Sequence, residues 1–181
     1  MITKKFTSYL FAAVAGVCFL LASFLIWQHH TPSRLAFSVA EVGSLPSELR
    51  IESLPQTLLI PSQGIEVPIY PSQVRDGKWE TTPKGVSYLV STALPGNQGN
   101  SVIYGHNWAN ILGKLPDVET GQQVLLTWGD GRIERFEIVQ TTEVTPDQTH
   151  ILAPTDDVRL TIYTCSGFLD RKRFVIVAVP V

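Results

Sequence analysis

Cys165 and His106 each close a short apolar run and are the residues best suited to covalent chemistry. The cysteine follows Val158-Arg159-Leu160-Thr161-Ile162-Tyr163-Thr164, and the histidine follows Ser101-Val102-Ile103-Tyr104-Gly105. A thiol attacks as its thiolate and needs a base or a cationic field beside it. Imidazole is the side chain best matched to moving protons near neutral pH. A residue at the end of a strand is held by the sheet on one side and is reachable on the other. The cluster Arg171-Lys172-Arg173 opens the last apolar run and supplies permanent positive charge. Strand alternation puts Arg173, Val175 and Val177 on one face, toward the face of Cys165, with Arg171 as the alternative. Each residue also has a bland reading. A strand-terminal cysteine fills core as often as it reacts, a lone Gly-His sits in a loop, and charges at a strand edge discourage aggregation.

The remaining composition narrows the classes. The chain has 181 residues with 14 basic and 16 acidic side chains, a formal net charge of −2. No acid precedes residue 41, and without Lys4 and Lys5 the balance is 12 basic to 16 acidic residues. Such a surface argues against nucleic acid as a partner. The two cysteines are Cys18 and Cys165. Cys18 lies inside an apolar segment, so no intrachain disulfide is expected. One remaining thiol excludes a multi-thiolate zinc site.

The elements that must position these residues fall into four expected parts. Residues 1–5 form a short N-terminus, and residues 6–27 carry no charge. As a helix that second segment spans about 30 Å, enough for a bilayer core. Tyr9 and Trp27 suit its interfacial ends, and Lys4 with Lys5 put the N-terminus inside. No small-x-small cleavage site follows Trp27, so an uncleaved anchor is expected in preference to a signal peptide. Residues 28–54, with Pro32, Gly43 and Pro46, read as a linker or stalk. His29 and His30 there read as solvated juxtamembrane residues and not as metal ligands.

From residue 55 to 181 the texture is β. Short β-branched or aromatic runs cover 58–60, 65–69, 86–90, 101–104, 124–128, 133–140, 158–164 and 174–179. Turn residues separate them, among them Asp76-Gly77, Pro95-Gly96-Asn97 and the hairpin signal Gly129-Asp130-Gly131. Eight such runs with little helical periodicity predict an all-β, eight-stranded barrel with one or two short helices, one of them near 109–115.

At this point the residues carry a family resemblance. Thr161-Ile162-Tyr163-Thr164-Cys165 resembles the sortase signature T-L-x-T-C, with Ile162 in place of leucine. The glycine-rich approach Ala93-Leu94-Pro95-Gly96 to Gly105-His106 is similar to that of the sortase histidine. An arginine leading the strand after the cysteine completes the order His, Cys, Arg. The resemblance covers roughly residues 55–181.

It implies a membrane-held, extracytoplasmic cysteine transpeptidase acting on LPxTG-like sorting signals of secreted proteins through a thioacyl-enzyme. The acceptor would be an amine on a cell-wall precursor or a pilin lysine. Cys165 is then the nucleophile, His106 the general acid-base, Arg173 the oxyanion or substrate-backbone donor, and Thr164 a substrate contact. No cofactor is implied. Some family members use calcium, but no calcium-loop spacing occurs here. Leu115-Pro116-Asp117-Val118-Glu119-Thr120-Gly121 echoes a sorting signal with the wrong spacing and reads as a loop. The alternative to the enzyme is a membrane-anchored, non-catalytic β-barrel binding or scaffold module with a degenerate site. Another envelope cysteine enzyme fits less well: the Ser-His-Gly-Cys box is absent, and papain-like hydrolases place cysteine before histidine.

Overall fold

The computed structural model describes residues 2–29, 32–38, 54–75 and 77–181. The chain divides into two compact units, Met1–Thr31 and Pro32–Val181. The first holds one helix, α1 (Ile2–His29). Its stretch Tyr9–Trp27 is long and apolar enough to cross a membrane, and none of it is buried. An uncharged surface of this length is costly in water and suited to hydrocarbon.

The second unit is a closed barrel. Its eight strands are β1 (Pro55–Ile60), β2 (Ile65–Ser72), β5 (Val86–Leu89), β6 (Gly99–Gly105), β7 (Gln123–Trp128), β8 (Ile133–Val144), β9 (Val158–Ser166) and β10 (Lys172–Pro180). The order round the barrel is β1-β2-β5-β6-β9-β10-β8-β7, with β7 pairing back onto β1. The eight expected runs are these eight strands, several of them longer than the apolar pattern alone indicates. The Gly129-Asp130-Gly131 turn joins β7 to β8 as an antiparallel hairpin, with Gly131 at φ +85°. A left-handed position of this kind favours glycine.

Three features differ from the expectation. A separate small hairpin, β3 (Val74–Arg75) with β4 (Lys78–Trp79), lies outside the barrel order. Asp76 of its turn lies outside the described residues. The segment near 109–115 is a series of turns leading to a 3-10 turn, Leu115–Asp117, and not a helix. Here the Ile111 and Gly113 N–H groups both donate to the Trp108 carbonyl, and the Leu112 N–H donates to that of His106. A side chain at Gly113 would meet the Trp108 backbone at 2.8 Å, so the segment folds tightly on itself. Residues 32–38, part of the expected linker, also belong to the barrel unit, beginning with a 3-10 turn at Pro32–Leu35. Residues 39–53 of that linker, and His30, lie outside the described residues.

Two apolar layers sit on opposite faces of the barrel wall. The interior draws from all eight strands, with Leu58, Val67, Tyr88, Ile103, Leu126, Phe136, Ile162 and Ile176 among its members. The second layer lies on the outside of the β6-β9-β10 wall. It joins Val102, Tyr104, Tyr163, Cys165 and Val175 to Leu35 and Phe37 of the N-terminal segment and to Trp79 of β4. The two-residue period of the strands alone decides which layer each side chain enters.

Candidate active site

Parallel pairing brings the candidate residues together. β6 and β9 run in the same direction, with Gly105 opposite Thr164. Parallel neighbours end at the same rim, so His106, one residue past the end of β6, and Cys165, next to last in β9, lie side by side there. On the other flank β10 is antiparallel, and Arg173 lies directly opposite Cys165. Arg173 enters its strand where β9 is about to end, and its side chain shares the outer face with Cys165, Tyr163 and Val175. Arg171 instead stands exposed at the end of the 3-10 turn Phe168–Asp170. Geometry therefore brings His106, Cys165 and Arg173 to one rim and leaves Arg171 out.

Thr164 points the other way. It is fully buried, and its hydroxyl donates to the Gly105 carbonyl at 2.8 Å. That bond ties the end of β9 to the end of β6, just before His106. The hydroxyl expected at substrate is thus engaged in joining the two strands that carry the histidine and the cysteine.

The site is covered. Residues 34–37 form a strap across the outer face, and Cys165 is 3% exposed beneath it. The Cys165 thiol donates to the Arg34 carbonyl at 2.9 Å. The Tyr163 hydroxyl donates to the Leu35 carbonyl at 3.1 Å, and the Arg173 guanidinium donates to the Ala36 carbonyl at 2.9 Å. Phe37 stands edge-on to Tyr163, with ring centroids 5.0 Å apart, and lies 5.9 Å from the Arg173 guanidinium carbon. The Arg34 side chain pairs with Asp170 at 2.5 Å, and Asn107 donates to the other oxygen of that carboxylate at 3.1 Å.

Asp170 is presented by an unusual turn. Leu169 and Asp170 both have positive φ, 53° and 55°. Aspartate visits this left-handed region readily, whereas leucine there is held by its surroundings. The turn aims the Asp170 carbonyl at Arg173, at 2.9 Å, while its carboxylate faces Arg34. A second bond from Arg173 to the Lys172 carbonyl, also 2.9 Å, completes the clamp on the guanidinium.

Burial under the strap pushes the Cys165 thiol up to about 12; the nearby Arg173 and Arg34 charges oppose the shift, while Asp170 adds to it. In this arrangement the thiol rests protonated, since desolvation penalises the thiolate more than the cations favour it. His106 is buried and stacks flat on Trp108, with centroids 4.3 Å apart and planes 10° apart. That contact fixes the ring plane, and the bond from Leu112 N–H to the His106 carbonyl fixes its backbone. Among the described residues no group of three or more His, Cys, Asp or Glu could hold a metal ion.

The sequence offers Trp79 only as part of an early strand and gives Asn107 and Trp108 no role, and it does not single out Tyr163, Asp170 or the strap. Tyr163 was readable as a neighbour of Cys165 on the same strand face. The strap was not, because its contacts join residues roughly 130 positions apart and it has no periodicity of its own.

A family model described as a sortase domain matches residues 58–181. No curated protein matches. Among solved structures, sortase C-1 from Actinomyces oris is 19% identical, with 88% of this chain and 98% of that one covered and a TM-score of 0.65. The Clostridium perfringens sortase D5 transpeptidase is 21% identical over 74% of this chain and 82% of that one, with a TM-score of 0.61. A Clostridium perfringens sortase C structure with the C-terminal cell wall sorting motif is 22% identical, covering 77% of each chain at a TM-score of 0.62.

Proposed function

Because this chain belongs to the sortase family of cysteine transpeptidases, we propose that Cys165, His106 and Arg173 perform its reaction on an LPxTG-like sorting signal. The observation that carries this reading is the strand register, which sets Arg173 opposite Cys165 and ends the His106 strand at the same rim.

Cys165 gives its proton to His106, the thiolate sulfur bonds to the threonyl carbonyl carbon of the signal, and the carbonyl π electrons move onto oxygen. Arg173 supplies donors to that oxygen or to the adjacent backbone, a task suited to a permanently charged planar fork. When the intermediate collapses, the carbon–nitrogen bond breaks and the departing amine takes a proton from His106. The thioacyl-enzyme is then attacked by an acceptor amine, which gives a proton back to His106. A new amide forms as the carbon–sulfur bond breaks, and the released Cys165 thiolate takes the proton from His106, restoring the thiol. No metal or organic cofactor enters these steps.

The acceptor in this proposal is an amine on a peptidoglycan precursor or a pilin lysine. The Clostridium perfringens relative solved with a cell wall sorting motif supports a C-terminal sorting signal as the donor. α1 anchors the chain in the membrane as a single pass, with its N-terminus inside and the barrel outside, in keeping with Lys4 and Lys5 before the apolar segment. The test is a transpeptidation assay with LPxTG-type peptides and glycyl or lysyl amines. The expected product is a new amide between the threonine and the acceptor. Absence of both cleavage and transfer across a varied peptide panel would overturn the proposal.

A further inference from the structure

The segment from Gly105 to Trp108 is pinned at every residue. The Gly105 carbonyl accepts from the Thr164 hydroxyl at 2.8 Å, and the His106 carbonyl from the Leu112 N–H at 3.1 Å. The Asn107 side chain donates to the Asp170 carboxylate at 3.1 Å. The Trp108 carbonyl accepts from the Ile111 and Gly113 N–H groups at 2.9 and 2.8 Å. These bonds fix the backbone but leave the imidazole its own side-chain rotations. Trp108 removes them, because its ring lies flat on that of His106 with centroids 4.3 Å apart and planes 10° apart. The indole is itself held, since Trp108 packs against the barrel core. Both turn bonds at position 108 end on the backbone carbonyl, so the turn asks for no particular side chain there.

The charge balance at this rim gives the indole face a task. His106 is buried, and burial disfavours the imidazolium. The other charged and titratable groups at the rim are Cys165 on β9, Arg173 on β10 and the Arg34–Asp170 ion pair. Arg173 opposes a second cation, and the Asp170 carboxylate is already shared by Arg34 and Asn107. The face of an indole is electron-rich and favours a cation stacked on it.

We propose that Trp108 is a positioning residue of the reaction, whose indole face sets the His106 ring plane and stabilises the imidazolium formed when Cys165 yields its proton. The assignment rests on the sortase reading above and deepens it. In that reading the imidazolium must last until the leaving amine takes its proton. A histidine that held the proton less well would return it to Cys165, and the thiolate would be lost. A ring free to turn would also carry the proton away from the leaving nitrogen. A tryptophan that only filled space would act differently: its removal would cost stability and admit water, leaving the histidine's proton affinity unchanged or raised.

Two measurements on the full chain in detergent micelles test this, with Cys18→Ser in the parent so that Cys165 is the reporting thiol. In the first, NMR follows the titration of the His106 ring in protein with isotope-labelled histidine, its signal identified by its loss in His106→Gln. Trp108→Leu is expected to lower the titration midpoint by about one pH unit, since the charged form loses its aromatic partner. Trp108→Phe keeps a smaller face and is expected to lower it by about half as much. An unchanged or raised midpoint in Trp108→Leu would overturn the assignment; where that variant does not fold, an unchanged midpoint in Trp108→Phe does so. In the second, an LPxTG-type peptide acylates the same proteins. Because Trp108 acts through His106, kcat is expected to fall about tenfold in Trp108→Leu with KM unchanged, and Trp108→Phe to recover part of the loss. An unchanged kcat, or a loss confined to KM, would also overturn it. If no peptide acylates the parent, it is the sortase reading that fails, while the titration still decides the role of Trp108.

Discussion

Arg173 makes three hydrogen bonds to backbone carbonyls from one buried guanidinium, so its shape matters as much as its charge. A lysine keeps the charge but cannot reproduce the fork. Arg173→Lys is expected to lower the acylation rate about 100-fold, the order found when a single oxyanion donor is lost. Stopped-flow or quenched assays on peptide would measure it, and a rate within threefold of the parent would contradict the role. The thiol makes a second prediction. Burial raises the Cys165 pKa to about 12, so the thiolate fraction is small at neutral pH and grows about tenfold per pH unit. Alkylation of the parent should therefore climb without levelling between about pH 6 and 10. In Arg34→Ala, loss of the Arg34 charge acts to raise the pKa, but relief of burial, the largest cause of the shift, acts to lower it and should outweigh that loss, bringing the plateau to lower pH. Identical profiles would contradict the link between strap and thiol.

At the scale of elements, the β6–β9 pair is the device that makes the site. Thr164 joins the two strands through the Gly105 carbonyl, and Gly105 itself is closely packed. A Cβ there would lie 3.0 Å from Val86 and 3.2 Å from both Ile111 and Leu112. Thr164→Val removes one buried hydrogen bond and should cost about 1–2 kcal/mol of stability in denaturant unfolding. Gly105→Ala should cost about 1–3 kcal/mol through overpacking and also slow catalysis, since it shifts the strand end that carries His106. The barrel was legible in the sequence because each of its strands alternates or runs apolar over several residues, as in the Val124–Trp128 part of β7. The cysteine box and the Gly-His were legible because they are local. β3 and β4, at two residues each, are too short to show a period. The turns at 109–114 carry apolar residues at helical spacing, yet Gly113 and Pro116 break the helix they imply. The inward turn of Thr164 follows from the same alternation that turns Cys165 outward, which places their side chains in different layers.

The molecule as a whole joins an apolar helix to a barrel whose Cys165 thiol is covered by the described segment at its N-terminal end. The helix is expected to hold the chain in membranes. Alkaline carbonate extraction should leave the full chain in the pellet and release a form lacking residues 2–29, while protease added outside intact cells should digest the barrel. Recovery of the full chain in the soluble fraction would contradict the anchor, and protection of the barrel would contradict the orientation.

Intact-mass spectrometry of the protein with a sorting peptide decides whether Cys165 forms the thioacyl bond. The chain carrying Cys18→Ser and Arg34→Ala should gain the mass of the acyl fragment, and the same chain with Cys165→Ala should gain nothing. An adduct that persists in Cys165→Ala, or none at all in the Cys165 form across a varied panel of LPxTG-type peptides, would contradict the account.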